Sequence, residues 1–206
     1  TAEMPGTYHA NEYDLVGIAT GVVEKEKIID GSRVQDGDIA IGVHSNGLHT
    51  NGYSLARKLI FESMGLSVDD FLPGHTTTVG NCLLAPHTNY STLIEGFVQN
   101  NVDIKSLAHI TGGGLVDNVP RVLPKNLSLD VNINSWKKIP VFEFLSDSLD
   151  INKEDLYQTF NMGIGLVIMV SPNEKDRVVS LLKAGSCTEI GVAIKDESNS
   201  VFLNEK

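Results

Sequence analysis

The chain has 206 residues, enough for one full domain and a fragment of another. At this length roughly 70% of the unfolded surface can be buried, so neither disulfides nor metal is needed for stability. A net charge of −10, with 41% hydrophobic and 20% charged residues, describes a globular chain without a basic stripe, which excludes broad contact with nucleic acid or anionic lipid.

Tyr13 to Glu24 is rich in β-branched and small residues and predicts a strand. A turn at Asp30-Gly31-Ser32 and Asp36-Gly37 lead to a second strand over Asp38 to Val43. After a polar loop, Leu55, Ala56, Leu59 and Ile60 recur at helical spacing until Gly65. Residues 67 to 83 read as an irregular connection. Pro86 suits a first helical position, with Tyr90, Leu93, Ile94, Phe97 and Val98 as the apolar face.

Leu107 to Ile110 predicts a short strand, and Leu115 to Leu123 a helix bent or begun at Pro120. Leu127 to Ile133 alternates as an exposed or edge strand, and helical stretches follow near Val141–Leu149 and Lys153–Phe160. Gly165 to Val170 is a buried strand. Ser171-Pro172-Asn173-Glu174 has the pattern of a capping box, opening a helix that buries Val178, Val179, Leu181 and Leu182 and stops at Gly185. Strands over Ile190 to Lys195 and Val201 to Leu203 close the chain. The elements mix without strict βα alternation, which predicts an α+β fold: a mixed sheet with flanking helices.

Cys82 and Cys187 have no CxxC spacing and read as buried thiols of a reducing compartment. The longest apolar run, Ile164 to Val170, is too short to span a bilayer. No signal peptide is visible, which points to the cytoplasm. The chain opens without methionine on Thr1-Ala2-Glu3-Met4-Pro5-Gly6, which reads as the interior of a longer polypeptide.

Three loops carry the chemistry. Ser45-Asn46-Gly47-Leu48-His49-Thr50-Asn51-Gly52 and Thr111-Gly112-Gly113-Gly114 each lie between a strand and a helix, and Asn161-Met162-Gly163-Ile164-Gly165 precedes a strand. Such turns offer free backbone N–H groups to an anion, so their combination points to a phosphorylated small molecule. In the first loop His49 can donate a proton or a hydrogen bond; the alternative use of the loop is a tight crossover capped by Asn51 or Ser54. His44 and His49 lack a third ligand at a zinc spacing. No Gly-x-Ser-x-Gly elbow surrounds Ser45, and no Gly-Lys-Ser/Thr follows the triple glycine. His109 fits a core position as well as a site, Arg121 reads as a surface ion-pair cation, and Trp136 reads as core.

Taken together, Thr1–Gly6, Ser45–Leu55, His109-Ile110-Thr111-Gly112-Gly113-Gly114, Asn118-Val119-Pro120-Arg121-Val122-Leu123-Pro124 and Thr159–Gly165 resemble the aminoimidazole ribonucleotide synthetase (phosphoribosylformylglycinamidine cyclo-ligase) family, in the same order along nearly the whole chain. Met162 departs from the cysteine frequent there.

The resemblance implies ATP-dependent ring closure of formylglycinamidine ribonucleotide in purine biosynthesis, with Mg²⁺, in a homodimer of two-domain subunits. It implies that residues 1–28 are the tail of an N-terminal ATP-binding domain and residues 29–206 the C-terminal α+β domain, inactive alone. His49 would be the catalytic residue. Ser45, Asn46, Gly47, Asn51, Gly112, Gly113, Gly114, Asn161 and Gly163 would bind substrate or phosphate, and Glu3 would lie on the ATP/metal side. Alternatives are a non-catalytic domain that binds a phosphorylated ligand, or a related enzyme such as formylglycinamidine ribonucleotide synthetase.

Overall fold

The structure, a computed structural model, describes residue 13, residues 17–148 and residues 152–205. Glu3 and the rest of Thr1–Gly6 lie outside the described residues.

Six strands form one sheet: β1 (Ile39–His44), β2 (Ile104–His109), β3 (Leu127–Asn132), β4 (Ile164–Val170), β5 (Cys187–Lys195) and β6 (Val201–Asn204). Their order is β2-β4-β1-β5-β3-β6. Neighbours are antiparallel except β3 and β6, which run parallel, so the sheet is mixed as the sequence predicts.

Among the described residues seven α-helical segments flank it: α1 (Tyr53–Arg57), α2 (Val79–Leu83), α3 (Ser91–Gln99), α4 (Gly114–Asn118), α5 (Pro140–Ser148), α6 (Lys153–Thr159) and α7 (Lys175–Leu181). Beyond α1 the helix widens over Lys58–Ser63, where Met64 N–H donates to the Leu59 carbonyl five residues back.

β4 explains the layering. All seven of its residues are buried, and their alternation sends them to opposite faces. Leu166, Ile168 and Val170 meet Phe97 of α3 and Val178 of α7. Val167 and Met169 join the larger core with Ala56, Leu115, Phe142, Leu156 and Tyr157. Each such side chain contributes about 1.5–3 kcal/mol on burial. At one end of β4, Val170 pairs with both Ile39 and Ile104. Beside it Lys105 Nζ donates to both oxygens of Asp38 at 2.7 Å, and Gln35 N–H adds a 2.7 Å bond to that carboxylate. A buried pair needs such extra bonds to offset its desolvation. This end of the sheet is locked; the polar loops sit at the other.

Several elements depart from sequence expectation. Within Tyr13–Glu24 the described residues form no strand, and Ile18, Val22 and Val23 are exposed. β-branched composition suits a pleated, half-buried surface, but no strand of this sheet pairs with them. The connection over 67–83 contains α2, capped by the Thr78 hydroxyl accepting from Asn81 N–H. The helix expected from Pro86 starts at Ser91, whose N–H donates to Asn89 Oδ1 and fixes that boundary.

β2 begins at Ile104, earlier than its apolar pattern indicates. β3 is an interior strand between β5 and β6, with Leu127, Ser128 and Leu129 all buried. α4 ends at Asn118, and Pro120–Val122 adds one tight turn, as the proline requires. The Ser171 side chain makes no cap; its carbonyl accepts from Glu174 N–H in a short 3₁₀ turn before α7. α7 ends at Leu181, short of Gly185, and buries Val178 while Val179 and Leu181 are exposed. Cys82 and Cys187 are free and half-buried.

Candidate functional site

Topology brings the three polar loops together. β1 and β2 both run antiparallel to β4 and lie on either side of it. The chain therefore leaves β1 at His44 and β2 at His109 where it enters β4. The loops are then joined directly. Ser45 N–H donates to the Gly163 carbonyl at 2.9 Å, Asn161 Nδ2 to the Gly47 carbonyl at 2.8 Å, and Ser45 Oγ to Asn161 Oδ1 at 2.7 Å. Gly163 N–H also reaches Asn161 Oδ1, and Ile110 N–H donates to the Gly165 carbonyl, both at 2.9 Å. Asn161 is buried, and its amide is committed to this clasp.

The triple glycine follows β2. Gly113 and Gly114 have φ of 99° and 56°, a region L side chains rarely adopt. Asn118 Nδ2 donates to the Gly114 carbonyl at 2.8 Å and to Gly112 at 3.3 Å, holding the loop from α4. Arg121 reaches Asn118 Oδ1 at 3.4 Å, where the sequence pointed to a surface ion pair. The N–H groups of Gly112 and Gly113 find no acceptor among the described residues. Gly112 faces Asn51, whose Oδ1 lies 3.5 Å from where a Cβ would sit.

In the first loop His49, Thr50 and Gly52 have φ of 52°, 64° and 76°. A β-branched residue in this region costs about 1–3 kcal/mol. The loop is held there by Thr50 Oγ1 and Asn51 Nδ2, which both donate to the His49 carbonyl. Stored strain of this kind concentrates where side chains and amides must be aimed.

His49 is only 1% exposed. Its ring stacks on His87 (centroids 4.1 Å apart, 17° between planes) and meets the edge of Tyr90 at 6.0 Å. His87 Nε2 lies 3.2 Å from His109 Nε2. Gly165 makes this assembly possible, since a Cβ there would lie 1.9 Å from the Tyr90 hydroxyl and 2.9 Å from His49 Cε1. Beside the rings is an open hollow of about 300 Å³, lined by His87, Thr88, Tyr90, Ile94, His109 and Leu166. His44 stands apart, bonded to Thr188 at 3.0 Å. Among the described residues no three His, Cys, Asp or Glu side chains group as metal ligands.

Burial, then repulsion from His87 and His109, holds the His49 imidazole down at about 4, and burial raises the Tyr90 phenol to about 12. Both are neutral near pH 7. Between about 4 and the ordinary 6.5 the unfolded chain takes a proton at His49 that the folded chain refuses. Stability is therefore fully present above that window and falls as pH drops through it, by about 3 kcal/mol for such a shift. His44 and His109, also lowered by burial, add to the same limb. Urea midpoints at pH 7 and pH 4.5 should separate in the native chain and converge in His49→Gln; equal separation in both would remove His49 as the cause.

Sequence reasoning missed His87, Thr88 and the inward role of Tyr90, because Pro86 and the apolar spacing read as one helix. The signal available was a polar run, His87-Thr88-Asn89, between the proline and the helix.

The fold and site define an α+β domain, with unpaired glycine amides and a buried imidazole at one sheet end. The chain belongs to the family of AIR synthase related proteins, C-terminal domain, whose model matches residues 35–204. It is 41% identical over 204 residues to the phosphoribosylformylglycinamidine cyclo-ligase of Alkaliphilus oremlandii (strain OhILAs), covering 98% of this chain and 60% of that protein. It is 48% identical over 179 residues to that of Geotalea uraniireducens (strain Rf4), covering 87% of this chain and 51% of that protein.

The chain thus spans between half and two thirds of the length of these curated relatives. Among solved structures, hydrogenase maturation protein HypE in complex with ATP matches with a TM-score of 0.59 at 16% identity, covering 85% of this chain and 49% of that one. Thiamine-monophosphate kinase from Stenotrophomonas maltophilia K279a matches with a TM-score of 0.57 at 16% identity, covering 89% and 55%. These two likenesses concern the fold.

Proposed function

We propose that this chain is the C-terminal domain of a phosphoribosylformylglycinamidine cyclo-ligase, closing the imidazole ring of aminoimidazole ribonucleotide at the expense of ATP. The observation that carries the reading is convergence: segments quoted for the family resemblance that are far apart in sequence meet at one end of the sheet, with unpaired glycine amides and a neutral histidine among them. Similarity to the cyclo-ligases along almost the whole chain supports it. In this reading ATP phosphorylates the formyl oxygen of formylglycinamidine ribonucleotide. An amide-type oxygen leaves poorly and a phosphate leaves well, so a substrate nitrogen then displaces it. The protein's task is to position and shield.

Gly112, Gly113 and the Ser45–Gly52 loop hold the ribonucleotide, while Ser45, Gly47, Asn161, Gly163 and Gly114 keep the loops in register. His49 serves as a neutral hydrogen-bonding group of the site. Residues 1–28, with Glu3, belong to a preceding ATP-binding domain, and residues 29–206 form this one. The whole protein works as a cytoplasmic homodimer. Among the described residues no three His, Cys, Asp or Glu side chains group as ligands for the Mg²⁺. In this reading the metal and most of the ATP contacts belong to the remainder of the protein.

Calorimetry on this chain tests the reading. Formylglycinamidine ribonucleotide should bind weakly and ATP hardly at all. In the longer protein, ATP and the ribonucleotide should yield ADP and aminoimidazole ribonucleotide. ADP release with thiamine monophosphate, and none with the ribonucleotide, would overturn the assignment.

A further inference from the structure

The histidine at the centre of the site has two ring nitrogens in different surroundings. His49 Nε2 lies 2.7 Å from Asn46 Oδ1, and 3.4 Å from the backbone nitrogens of Asn46 and Thr88. His49 Nδ1 is buried and has no hydrogen-bond partner. Which nitrogen carries the hydrogen depends on which Asn46 atom faces the ring, and the neighbours of Asn46 decide that. Asn46 Nδ2 donates to the Pro86 carbonyl at 2.8 Å, and a carbonyl can only accept. The Thr88 hydroxyl donates to Asn46 Oδ1 at 3.1 Å. The amide is thereby anchored with its oxygen toward His49.

An acceptor 2.7 Å from Nε2 requires a hydrogen between them. With the hydrogen on Nδ1 instead, two lone pairs would face each other at 2.7 Å, in exchange for two long N–H···N contacts at 3.4 Å. The short contact dominates, because hydrogen bonds weaken steeply with length and misalignment.

We propose that Asn46 is a positioning residue that fixes His49 with its hydrogen on Nε2, leaving Nδ1 as a bare acceptor for a donor hydrogen of the ribonucleotide. The ligand half rests on the cyclo-ligase reading; the tautomer half does not. Burial without a partner is costly for a polar atom, so Nδ1 is one of three places, with Ser146 Oγ and the Tyr157 hydroxyl, where the described residues leave hydrogen-bonding capacity unspent. The His87 ring that lies flat on one face of His49 is itself exposed. An N–H on the substrate's amidine side is a donor of the right kind. Asn46 thus acts through His49 and not by touching phosphate.

The test is two-bond ¹H–¹⁵N correlation NMR of the labelled chain at pH 7, where the two nitrogens of a neutral imidazole give distinct shifts. The native chain should show Nε2 in the protonated range and Nδ1 in the unprotonated range, with the Nε2–H form in roughly tenfold or greater excess. Asn46→Ala removes the acceptor and frees Nε2 to receive the two backbone N–H groups, so the excess should vanish or invert. Asn46→Leu, close to asparagine in shape and equally without an acceptor, guards against a folding defect in the alanine variant; it should lose the native pattern in the same way.

Nδ1–H as the major native form, or an unchanged pattern in a folded Asn46→Ala, overturns the assignment. Formylglycinamidine ribonucleotide is then added to the native chain. Movement of the Nδ1 resonance more than of Nε2 supports the ligand half. A ribonucleotide that binds by calorimetry without moving Nδ1 more than Nε2 overturns the ligand half alone; no binding at all overturns the nucleotide reading as well; either leaves the role of Asn46 standing.

Discussion

Gly114→Ala should cost about 3–5 kcal/mol of stability, enough to unfold much of the chain near its working temperature. Two effects add. The residue has φ of 56°, where a side chain is strained whatever the space. A Cβ would also lie 1.8 Å from the Tyr157 carbonyl oxygen and 2.8 Å from that of Phe160. These are backbone atoms of α6 and its C-terminal turn, so no rotamer change relieves the clash. α4 would have to separate from α6, dragging the Thr111–Gly114 loop from the site.

The control is Gly112→Ala, two residues away. It has no strained φ, and its Cβ would meet Asn51 Oδ1 at an ordinary 3.5 Å. Its stability should stay within about 0.5–1 kcal/mol of native, while ligand binding suffers because the methyl group enters the space between the two loops. Urea unfolding of both variants distinguishes them; similar midpoints for the two would show that the glycines are there for flexibility alone.

The same pair shows what a sequence can and cannot reveal here. Three consecutive glycines between a strand and a helix signal close approach of something to the backbone. They do not say that Gly112 faces a neighbouring loop, that Gly113 would push a Cβ into Asp117, or that Gly114 is pressed against another helix. Asn161 was legible as a loop residue in reach of the site, yet its buried amide ties two loops together, which depends on β1 and β4 being neighbours. The order β2-β4-β1 is long-range pairing that periodicity does not encode.

β3 was misread for a related reason. Ser128 and Asp130 alternate with apolar residues as on an edge strand, but Ser128 is fully buried and bonded to Asp196 in the turn beyond β5. The histidine stack was hidden altogether. Its members come from three segments, at 49, 87 and 109, and what brings them together is the missing side chain of Gly165. The burial of β4, in contrast, follows from its apolar run and is legible in the sequence.

His49→Ala should lower turnover of the whole cyclo-ligase by at least about 100-fold while leaving the domain folded. The two halves of that expectation have separate grounds. For stability, the lost stacking on His87 and edge contact with Tyr90 costs about 1–2 kcal/mol. Against this stands the removal of a buried, unpartnered nitrogen, whose presence costs about 1–3 kcal/mol. The lost Nε2–H bond to Asn46 adds about 1 kcal/mol to the cost, so the urea midpoint should fall modestly at pH 7 while the transition stays cooperative.

For activity, no other side chain of the Ser45–Gly52 loop offers an imidazole to the ribonucleotide, and Asn51 spends its amide hydrogen on the loop itself. Exposed His87 and His109 stand nearby and could accept a hydrogen, but neither is fixed by an anchored amide as His49 is. The loss should appear mainly in kcat, because the glycine amides proposed to hold the phosphate are untouched. A variant whose KM rises while kcat is preserved would place His49 in ground-state binding only. One with native kinetics throughout would reduce it to a loop residue whose neutrality serves packing.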